Sequence, residues 1–548
     1  EELPVDDLDA AIYALHKGLA EALNAARLSY ATIKVMGTPR RLVAMVSHMA
    51  PRQRDEESLV RGPAVGLAYD EQGRPTRAAL GFARSRGVSV EELQRRTIDG
   101  KDYVVAVIVE KGRPATEVLA EILPNVIAGL RFPQSMRWNA SRVSFSRPIR
   151  WYVALLGEVV IPFEYAGVHS GRESRGPRPA GSPVLEIADA ASYERAIENA
   201  GVMLDGLARR EAILEQARLQ AQGVGGELMD DPALLREVAN LVEYPLAIRG
   251  SFDREFLRLP DIVLLAVMRK HQRYLPILRD GKLLPHFIAV ANGRYLNVDA
   301  VRHGNEEVLR ARYADAVYFY DADTKRSLEE FTSALDTLTF QERLGSMLDK
   351  VERLKKLVPD LGEMLGLSEE EIHTARRAAE LCKSDLATQL VIEFTSLQGQ
   401  MGRHYALLAG EPAPVAQAIE EHYLPRFAGD RLPSRVEGLV VGLADRLDTL
   451  VGLFAVGIQP SGAADPWGLR RAALGLVQLL VEKEVSLALP EALSLAAELL
   501  PIEVDEQVLR DVLAFITQRY RGYLLERGFR HDVVDAVLNE RGFDPYLA

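Results

Sequence analysis

Cysteine is nearly absent from this sequence, which contains a single one, Cys382, among 548 residues. One cysteine excludes a disulfide framework within the chain and a zinc site built on cysteine ligands, and it suits a reducing compartment. The sequence also has no apolar run near the ~18 residues that a membrane-spanning helix requires, and no signal peptide is visible. These absences predict a cytoplasmic protein that does not use a membrane as a partner.

Several short motifs that carry catalytic chemistry are missing as well. The sequence has no G-x-x-x-x-G-K-[ST] loop, no convincing dinucleotide-binding loop, no G-x-S-x-G and no H-E-x-x-H. We therefore predict that the chain contains no complete active site of its own, no catalytic residue and no bound cofactor.

The overall composition, with 48% hydrophobic and 26% charged residues, is that of an ordinary globular protein. The length is sufficient for about three or four domains, each with its own core. A net charge of −12 argues against general coating of nucleic acid. It allows a local basic surface, because phosphates are bound by clusters of cations. The chain begins at Glu1 without a methionine and ends soon after a basic helical pattern, so we expect a fragment of a longer protein.

Acidic residues are scarce between Arg131 and Arg178, where arginine and aromatic residues are concentrated. This stretch contains eight arginines and three glutamates, with no lysine and no aspartate. Guanidinium groups contact phosphates, and both guanidinium groups and aromatic rings stack on exposed RNA bases, so we predict RNA binding here. The alternative is an aromatic core with arginines at its surface. The candidate RNA-binding residues of the stretch are Arg137, Trp138, Arg147 and Arg150.

A second basic feature is the turn G-T-P-R-R, from Gly37 to Arg41, between two strand-like segments. The pattern predicts a hairpin with Arg40 and Arg41 at its tip. Two interpretations remain open for this pair. It is either a phosphate clamp, because paired arginines suit planar anions, or a solvated turn.

Two more arginine pairs lie in the second half of the sequence. Arg470 and Arg471 follow Asp465 and Pro466, which are typical of a loop and a helix start. Arg519 and Arg527 lie around the apolar face of a predicted helix near the C-terminus. We include all four among the candidate RNA-binding residues.

The stretch from Glu371 to Leu450 contains E-I-H-T-A-R-R, K-S-D-L-A-T-Q-L and L-A-D-R-L-D within helical apolar spacing. It resembles the HD phosphohydrolase superfamily, which binds a divalent metal through a histidine, a His-Asp doublet and a distant aspartate. The matching positions are His373, Asp385 and Asp445, but Ser384 stands where the doublet histidine is expected. A serine hydroxyl replaces an imidazole ligand poorly. We therefore expect an inherited helical scaffold without metal, in which the aspartates cap helices or pair with Arg376, Arg377 or Arg446. A different metal site, completed by His404 and His422, is an alternative that the sequence leaves open.

Motifs along the whole chain resemble the bacterial glycyl-tRNA synthetase beta subunit family, in the same order from Glu1 to about Val537. They are E-E-L-P, G-T-P-R-R-L, M-R-W, L-V-E-Y-P, M-R-K-H-Q-R-Y, G-N-E-E-V, D-L-A-T-Q-L-V-I-E-F, L-Q-G-Q-M-G, E-H-Y-L-P and D-P-W-G-L-R-R. The resemblance implies a tRNA-binding subunit whose partners are an alpha subunit and tRNA(Gly). It also implies that the alpha subunit binds ATP and Mg²⁺ and performs the adenylate chemistry.

We predict a multidomain α+β protein, with a mixed α/β N-terminal half followed by a helical HD-like domain and the start of a helical anticodon-binding domain. The predicted boundaries are 1–180, 181–335, 336–490 and 491–548. Helical patterns are predicted near 6–28, 75–94, 115–130 and 205–222, and another helix is predicted to start near Asn305.

Two other function classes stay open at this point. One is a metal-dependent phosphohydrolase, against which Ser384 argues, and the other is a non-catalytic RNA-binding scaffold. The scaffold differs from the synthetase subunit only in its partner.

Overall fold

The structure is a computed structural model that describes residues 1–294, 297–462 and 464–548. It is about 52% helix and 17% strand, and the predicted multidomain α+β fold, with an α/β N-terminal half and a helical C-terminal region, is confirmed. The chain forms two compact units. We call residues 1–251 with 273–306 the N-terminal unit, and residues 252–272 with 307–548 the C-terminal unit. The division into four domains stays a prediction.

Helices account for most of the regular structure in the described part of the chain. They are α1 Val5–Ala25, α2 Val65–Ala68, α3 Arg77–Arg86, α4 Ala115–Gly129, α5 Tyr193–Asn199, α6 Gly206–Gln222, α7 Pro232–Ala239, α8 Asp261–Ala266, α9 Val298–Asp323, α10 Leu328–Ala334, α11 Met347–Met364, α12 Glu369–Leu381, α13 Gln389–Glu393, α14 Gln400–Leu408, α15 Ala413–Glu421, α16 Val436–Ala455, α17 Leu469–Glu482, α18 Leu489–Glu498, α19 Glu506–Glu526 and α20 His531–Arg541.

The strands range in length from two to eleven residues. They are β1 Thr32–Thr38, β2 Arg41–Ser47, β3 Glu56–Ala64, β4 Gln94–Ile98, β5 Lys101–Glu110, β6 Tyr152–Val153, β7 Leu155–Leu156, β8 Val159–Val160, β9 Glu164–Tyr165, β10 Val168–Gly171, β11 Glu173–Arg175, β12 Val184–Glu186, β13 Glu227–Leu228, β14 Pro245–Ser251, β15 Leu275–Arg279, β16 Lys282–Asn292, β17 Thr339–Gln341 and β18 Gly345–Ser346.

The predicted hairpin at the G-T-P-R-R turn is confirmed. Strands β1 and β2 pair antiparallel, with Thr38 opposite Arg41 at the turn. Helices α1 and α4 share a core with this hairpin that includes the buried side chains of Leu19, Leu23 and Leu119. The apolar spacing of α1 therefore positions the hairpin through ordinary core burial.

The segment 56–110 forms a sheet of its own in the N-terminal unit, with strand order β3-β5-β4. Helix α3 covers one face of this sheet through Ala79 and Ala83, which share a core with Val104 and Ala106. The predicted helix at 75–94 ends earlier than expected, because Gly87 takes a left-handed conformation with φ 67° and closes the helix.

A four-stranded antiparallel sheet, with strand order β13-β15-β16-β14, completes the N-terminal unit. Helices α6 and α7 share a core with it that contains Ile213, Val238 and Ile277. The side chain of Arg209 on α6 is fully buried. It donates to the carbonyl oxygens of Ala239, Met203, Leu204 and Gly37. These bonds tie α6 to β1, because a buried guanidinium requires acceptors for its N–H groups.

Helix α16 is the central element of the C-terminal unit. It packs against α11, α12, α15 and α17, and nearly all of its residues are buried. A helix that is buried on every side is typical of the centre of a bundle. The predicted helix near Asn305 begins earlier, at Val298. In the described ranges, no helix combines the length and the apolar character that spanning a membrane requires.

Candidate RNA-binding surface and the HD-like centre

Arg40 and Arg41 do not form an exposed pair at the hairpin tip, so that part of the prediction is wrong. Their side chains are only 7% and 3% exposed, and both lie within 4.0 Å of the carboxylate of Glu243. Thr38 donates its hydroxyl to the same carboxylate at 2.8 Å. Burial of the Arg40 guanidinium lowers its pKa. The turn is therefore an internal ion-pair cluster, and neither side chain is free to bind a phosphate in this conformation.

The remaining donors of the two arginines bind backbone carbonyls of a neighbouring loop. Arg40 donates to the carbonyl of Gly176, and Arg41 donates to that of Arg175. Glu243 belongs to the motif L-V-E-Y-P, so two family motifs far apart in sequence meet at one buried carboxylate. Removing one partner of such a pair leaves a buried charge uncompensated, which is strongly destabilising.

The arginines near residue 140, unlike Arg40 and Arg41, are exposed to solvent. Arg131, Arg137, Arg142 and Arg147 are all exposed. Arg131, Arg137 and Arg147 each donate to a backbone carbonyl nearby. Within the described residues, none of the four has a carboxylate within ion-pair distance. Because their charge is not neutralised internally, these four arginines form the candidate RNA-binding surface of the N-terminal unit.

The aromatic residues of the same stretch are core residues rather than free stacking platforms. Phe145 is buried in a cluster with Leu3, Leu8 and Leu130, and the half-buried Trp138 packs against that cluster. Phe132 meets Phe145 edge to face, with ring centroids 4.7 Å apart. The alternative weighed for this stretch, an aromatic core with surface arginines, describes the geometry. The RNA-binding role of Trp138 stays a prediction.

Arg150 differs from its neighbours, because its exposed guanidinium donates to the Glu1 carboxylate at 2.5 Å. Arg178 pairs with the same carboxylate at 2.9 Å. The ion pairs with Arg150 and Arg178 lower the pKa of Glu1. The positive charge of Arg150 is therefore partly neutralised within the N-terminal unit.

The candidate arginines of the C-terminal unit are mostly engaged. Arg470 donates to the carbonyl of Gly462 at 2.7 Å, while Arg471 is exposed. Arg519 lies over the ring of Phe515, and Arg527 pairs with Glu482 at 2.9 Å. These contacts leave Arg471 as the most open cation of the four, and the RNA-binding roles of all four stay predictions.

The HD-like centre is filled by lysine side chains. Asp445 on α16 lies 3.1 Å from the Lys350 ammonium and 2.9 Å from the Lys383 ammonium. Burial would raise the pKa of the Asp445 carboxyl, but the two ammonium groups hold it well below its ordinary value. Asp448, one turn later, pairs with Lys350 and with Arg353. The charge that a metal would supply is thus supplied by cations of the chain itself.

Asp385 is buried and caps a helix, as one of the sequence-based interpretations proposed. Its Oδ2 accepts the backbone N–H groups of Gly399 at 2.5 Å and Gly402 at 3.0 Å, at the start of α14. Burial raises the pKa of Asp385 to about 6, although these two amides oppose the shift. Asp445 does not pair with Arg376, Arg377 or Arg446, so that interpretation is wrong.

The other HD-like positions do not converge on the two aspartates. His373 is exposed on α12, whereas Ser384 is buried and shares a hydrogen bond with Thr332 at 2.6 Å. Of the histidines left open, His404 bonds Tyr320, and His422 is buried with its Nδ1 on the carbonyl of Ile419. Across the described ranges, no three His, Cys, Asp or Glu side chains are placed to hold a metal ion. These residues do not fit a metal site, because two ammonium groups contact the carboxylate that would have to bind it.

Sequence reasoning missed the three side chains that form the buried ion pairs at these sites, namely Lys350, Lys383 and Glu243. Lys383 directly precedes Ser384, which is one of the positions compared with the HD superfamily. Lys350 lies far away in the sequence, on α11. No local pattern distinguishes a lysine that is buried against Asp445 from one that is solvated.

Comparison with known proteins shows which protein family the chain resembles. A family model described as "Glycyl-tRNA synthetase beta subunit" matches residues 1–539. The chain is 47% identical over its whole length to the chloroplastic/mitochondrial glycine–tRNA ligase 2 of Arabidopsis thaliana, of which it covers 51%. It is 45% identical to the glycine–tRNA ligase beta subunit of Desulforamulus reducens and 41% identical to that of Clostridioides difficile, with 79% and 78% of those proteins covered.

These relatives are aminoacyl-tRNA synthetases, which are ligases. The chain spans about half of the length of the plant relative and over three quarters of the two bacterial ones. The match extends along nearly the whole chain, in agreement with the order of the motifs. The chain belongs to the glycyl-tRNA synthetase beta subunit family.

Proposed function

We propose that this chain is the beta subunit of a glycine–tRNA ligase that binds and positions tRNA(Gly) for ATP-dependent glycylation. An alpha subunit would bind ATP and Mg²⁺ and form the glycyl-adenylate. The observation that carries the proposal is the family match over residues 1–539. A cytoplasmic location belongs to the same proposal and is supported by the single, buried cysteine.

The surface chemistry of the N-terminal unit supports a role in binding tRNA. Arg131, Arg137, Arg142 and Arg147 are exposed without an internal counterion among the described residues. A protein with a net charge of −12 attracts a polyanion only through local clusters of this kind. Each phosphate contact of such a cluster adds affinity that weakens with salt.

The C-terminal unit supports the assignment of catalysis to another subunit. Its HD-like centre is closed by the ammonium groups of Lys350 and Lys383 around Asp445. Hydrolysis of a phosphoester would require an open metal position there. The phosphohydrolase alternative therefore receives no support from this arrangement of side chains.

Aminoacylation of tRNA(Gly) with glycine, with and without added alpha subunit, tests the proposal. We expect glycyl-tRNA only when both subunits are present, and no ATP–pyrophosphate exchange from this chain alone. Exchange by the isolated chain at the rate of the reconstituted complex would overturn the division of labour. Retention of tRNA without any stimulation of glycylation by this chain would favour the RNA-binding scaffold.

A further inference from the structure

The segment 56–110, which we call the sheet module, is attached to the rest of the N-terminal unit by a narrow connection. The connection is made where the chain enters and leaves. Gln53 bonds the backbone of Arg113, and Asp55 accepts the backbone N–H of Gly112. Strands β3 and β5 leave this point side by side. The module is therefore held at one end, and its own core is formed by α3 and the sheet.

The two faces of the module's sheet differ in what packs against them. Side chains alternate between the faces along β5, so Val104 and Ala106 meet α3 while Tyr103 and Val105 point to the other side. On that other side, Val105 is buried at the centre of the sheet, whereas Leu59 is 61% exposed and Val109 is 50% exposed. We call it the open face of the sheet module, because its strands carry accessible apolar side chains with no helix of the module over them.

The open face carries a cluster of cations around one aromatic ring. The Arg61 guanidinium lies 3.6 Å from the ring centroid of Tyr103. Arg96 stands opposite Tyr103 in the β4–β5 register, and Lys101 follows on the same face. In the part of the chain that the structure describes, none of these three cations lies within 4.0 Å of a carboxylate.

Glu57 lies opposite Val109 in the β3–β5 register, so its carboxylate is on the open face. It lies at the far end of the strands, away from the three cations. The centre of the face is consequently positive, although the whole protein is negative. An exposed guanidinium that rests on an aromatic ring still offers charge and a flat surface to a partner. This chemistry is complementary to a phosphate next to an exposed base.

We propose that the open face of the sheet module binds unpaired nucleotides of RNA, with Arg61 and Tyr103 as a stacking platform and Arg96 and Lys101 as phosphate contacts. This inference rests on the proposed tRNA-binding function and deepens it. Unpaired nucleotides fit better than a duplex, because stacking on a side chain requires a base that has left its own stack. A protein partner is the competing occupant, and its capture is one outcome of the test.

The test compares two double variants of the full chain. Arg61→Ala with Arg96→Ala removes the cations of the open face. Arg84→Ala with Arg86→Ala removes two exposed cations from α3, the helix that covers the opposite face of the same module. Both variants change the charge equally, so a difference between them reports the face and not the net charge.

The probes are tRNA(Gly), a short single-stranded RNA and a duplex RNA of the same sequence, each titrated against salt. We expect the open-face variant to bind the single strand about tenfold more weakly, with a salt slope lowered by about 0.7 because the phosphate contact of Arg96 is lost. The α3 variant should bind like the unaltered chain. A single Arg61→Lys change should keep most of the salt slope and lose part of the affinity, because lysine retains the charge without the planar group.

Equal losses in the two double variants would overturn the inference, since general electrostatic attraction would then explain both. Unchanged RNA binding with weakened alpha-subunit binding would also overturn it in favour of a protein-docking face. Thermal melting of each variant verifies the fold. Failure of the unaltered chain to bind tRNA or to support glycylation would contradict the proposed function itself. Normal RNA binding by the open-face variant would contradict only the inference about the open face.

Discussion

Two groups of arginines in the N-terminal unit look alike in the sequence and serve opposite purposes in the structure. Arg40 and Arg41 lie at a hairpin turn but are buried against Glu243. Arg137 and Arg147 lie in an aromatic-rich stretch and are exposed without a carboxylate partner among the described residues. Local density of arginine therefore identifies basic segments, but the position of a distant carboxylate decides which segment is free to bind an anion.

The largest effect in this comparison is expected for Arg41→Ala. The variant removes the shorter of the two ion pairs of the buried Glu243 carboxylate with Arg40 and Arg41, so the free energy of unfolding should fall by about 3–5 kcal/mol. Chemical denaturation measures this loss, and the salt slope of tRNA binding should stay unchanged once the variant is folded. Arg147→Ala is the control, with no comparable loss of stability. A variant that melts normally and loses about one unit of salt slope would reverse our interpretation of the two groups.

The second effect concerns the buried carboxyl of Asp385, whose pKa is raised by burial from 3.8 to about 6. A raised carboxyl pKa means that the folded state holds the proton more tightly. Stability from this group is therefore present at low pH and is lost as pH rises from about 4 to about 6. Relative to Asp385→Asn, the unaltered protein should lose about 3 kcal/mol across that range.

Urea unfolding of both proteins at several pH values measures this difference. Asp445 supplies the contrast, because its pKa is held well below the ordinary value. Its contribution is lost only as pH falls through the acidic range, so the difference between Asp445→Asn and the unaltered protein should stay constant from about pH 5 to 7. A constant Asp385→Asn difference over the same range would contradict the assignment.

A smaller effect is expected when the exposed arginines are removed. Arg137→Ala with Arg147→Ala should leave the free energy of unfolding within about 0.5 kcal/mol. It should lower the salt slope of tRNA binding by about 1.5, because two phosphate contacts are lost. Arg510→Ala with Arg530→Ala is the matched control, since both are exposed and paired with carboxylates. A larger change in the control would place the RNA-binding surface elsewhere.

The smallest effect is expected for Arg527→Ala. Arg527 is already paired with Glu482 and lies over the Tyr523 ring, so part of its charge is spent within the chain. Its removal should change the salt slope of tRNA binding by less than half of a full phosphate contact. Fluorescence titration at several salt concentrations measures the slope. A full unit of change would show that the ion pair with Glu482 opens when RNA binds.

Much of the fold was predictable because it depends on local patterns. The helical pattern near 6–28 predicted helix α1, and the Gly37–Arg41 turn predicted the hairpin. The helix at 75–94 was predicted too long, because Gly87 ends it, and the helix near Asn305 was predicted to begin too late. Ends of helices depend on single caps and are harder to predict than their existence.

The candidate sites were less predictable, because contacts between distant residues decide them. The serine at position 384 argued in the sequence against a metal-binding His-Asp doublet, but nothing near it indicated that Lys350 would reach Asp445 from α11. Likewise, the aromatic residues between Arg131 and Arg178, including Trp138, were weighed both as RNA-stacking residues and as core residues. Burial against Leu3 and Leu8 favoured the core.

The sequence by itself determined the family, the helical and strand patterns and the absence of the common catalytic motifs, because each of these is written in short runs of residues. Only the tertiary structure decided which charges are available. A guanidinium at position 41 and one at position 147 have the same intrinsic chemistry. Burial beside Glu243 commits the first to stability, whereas exposure without a counterion leaves the second free to attract a phosphate, because the energy of a charge depends on its solvent and its neighbours.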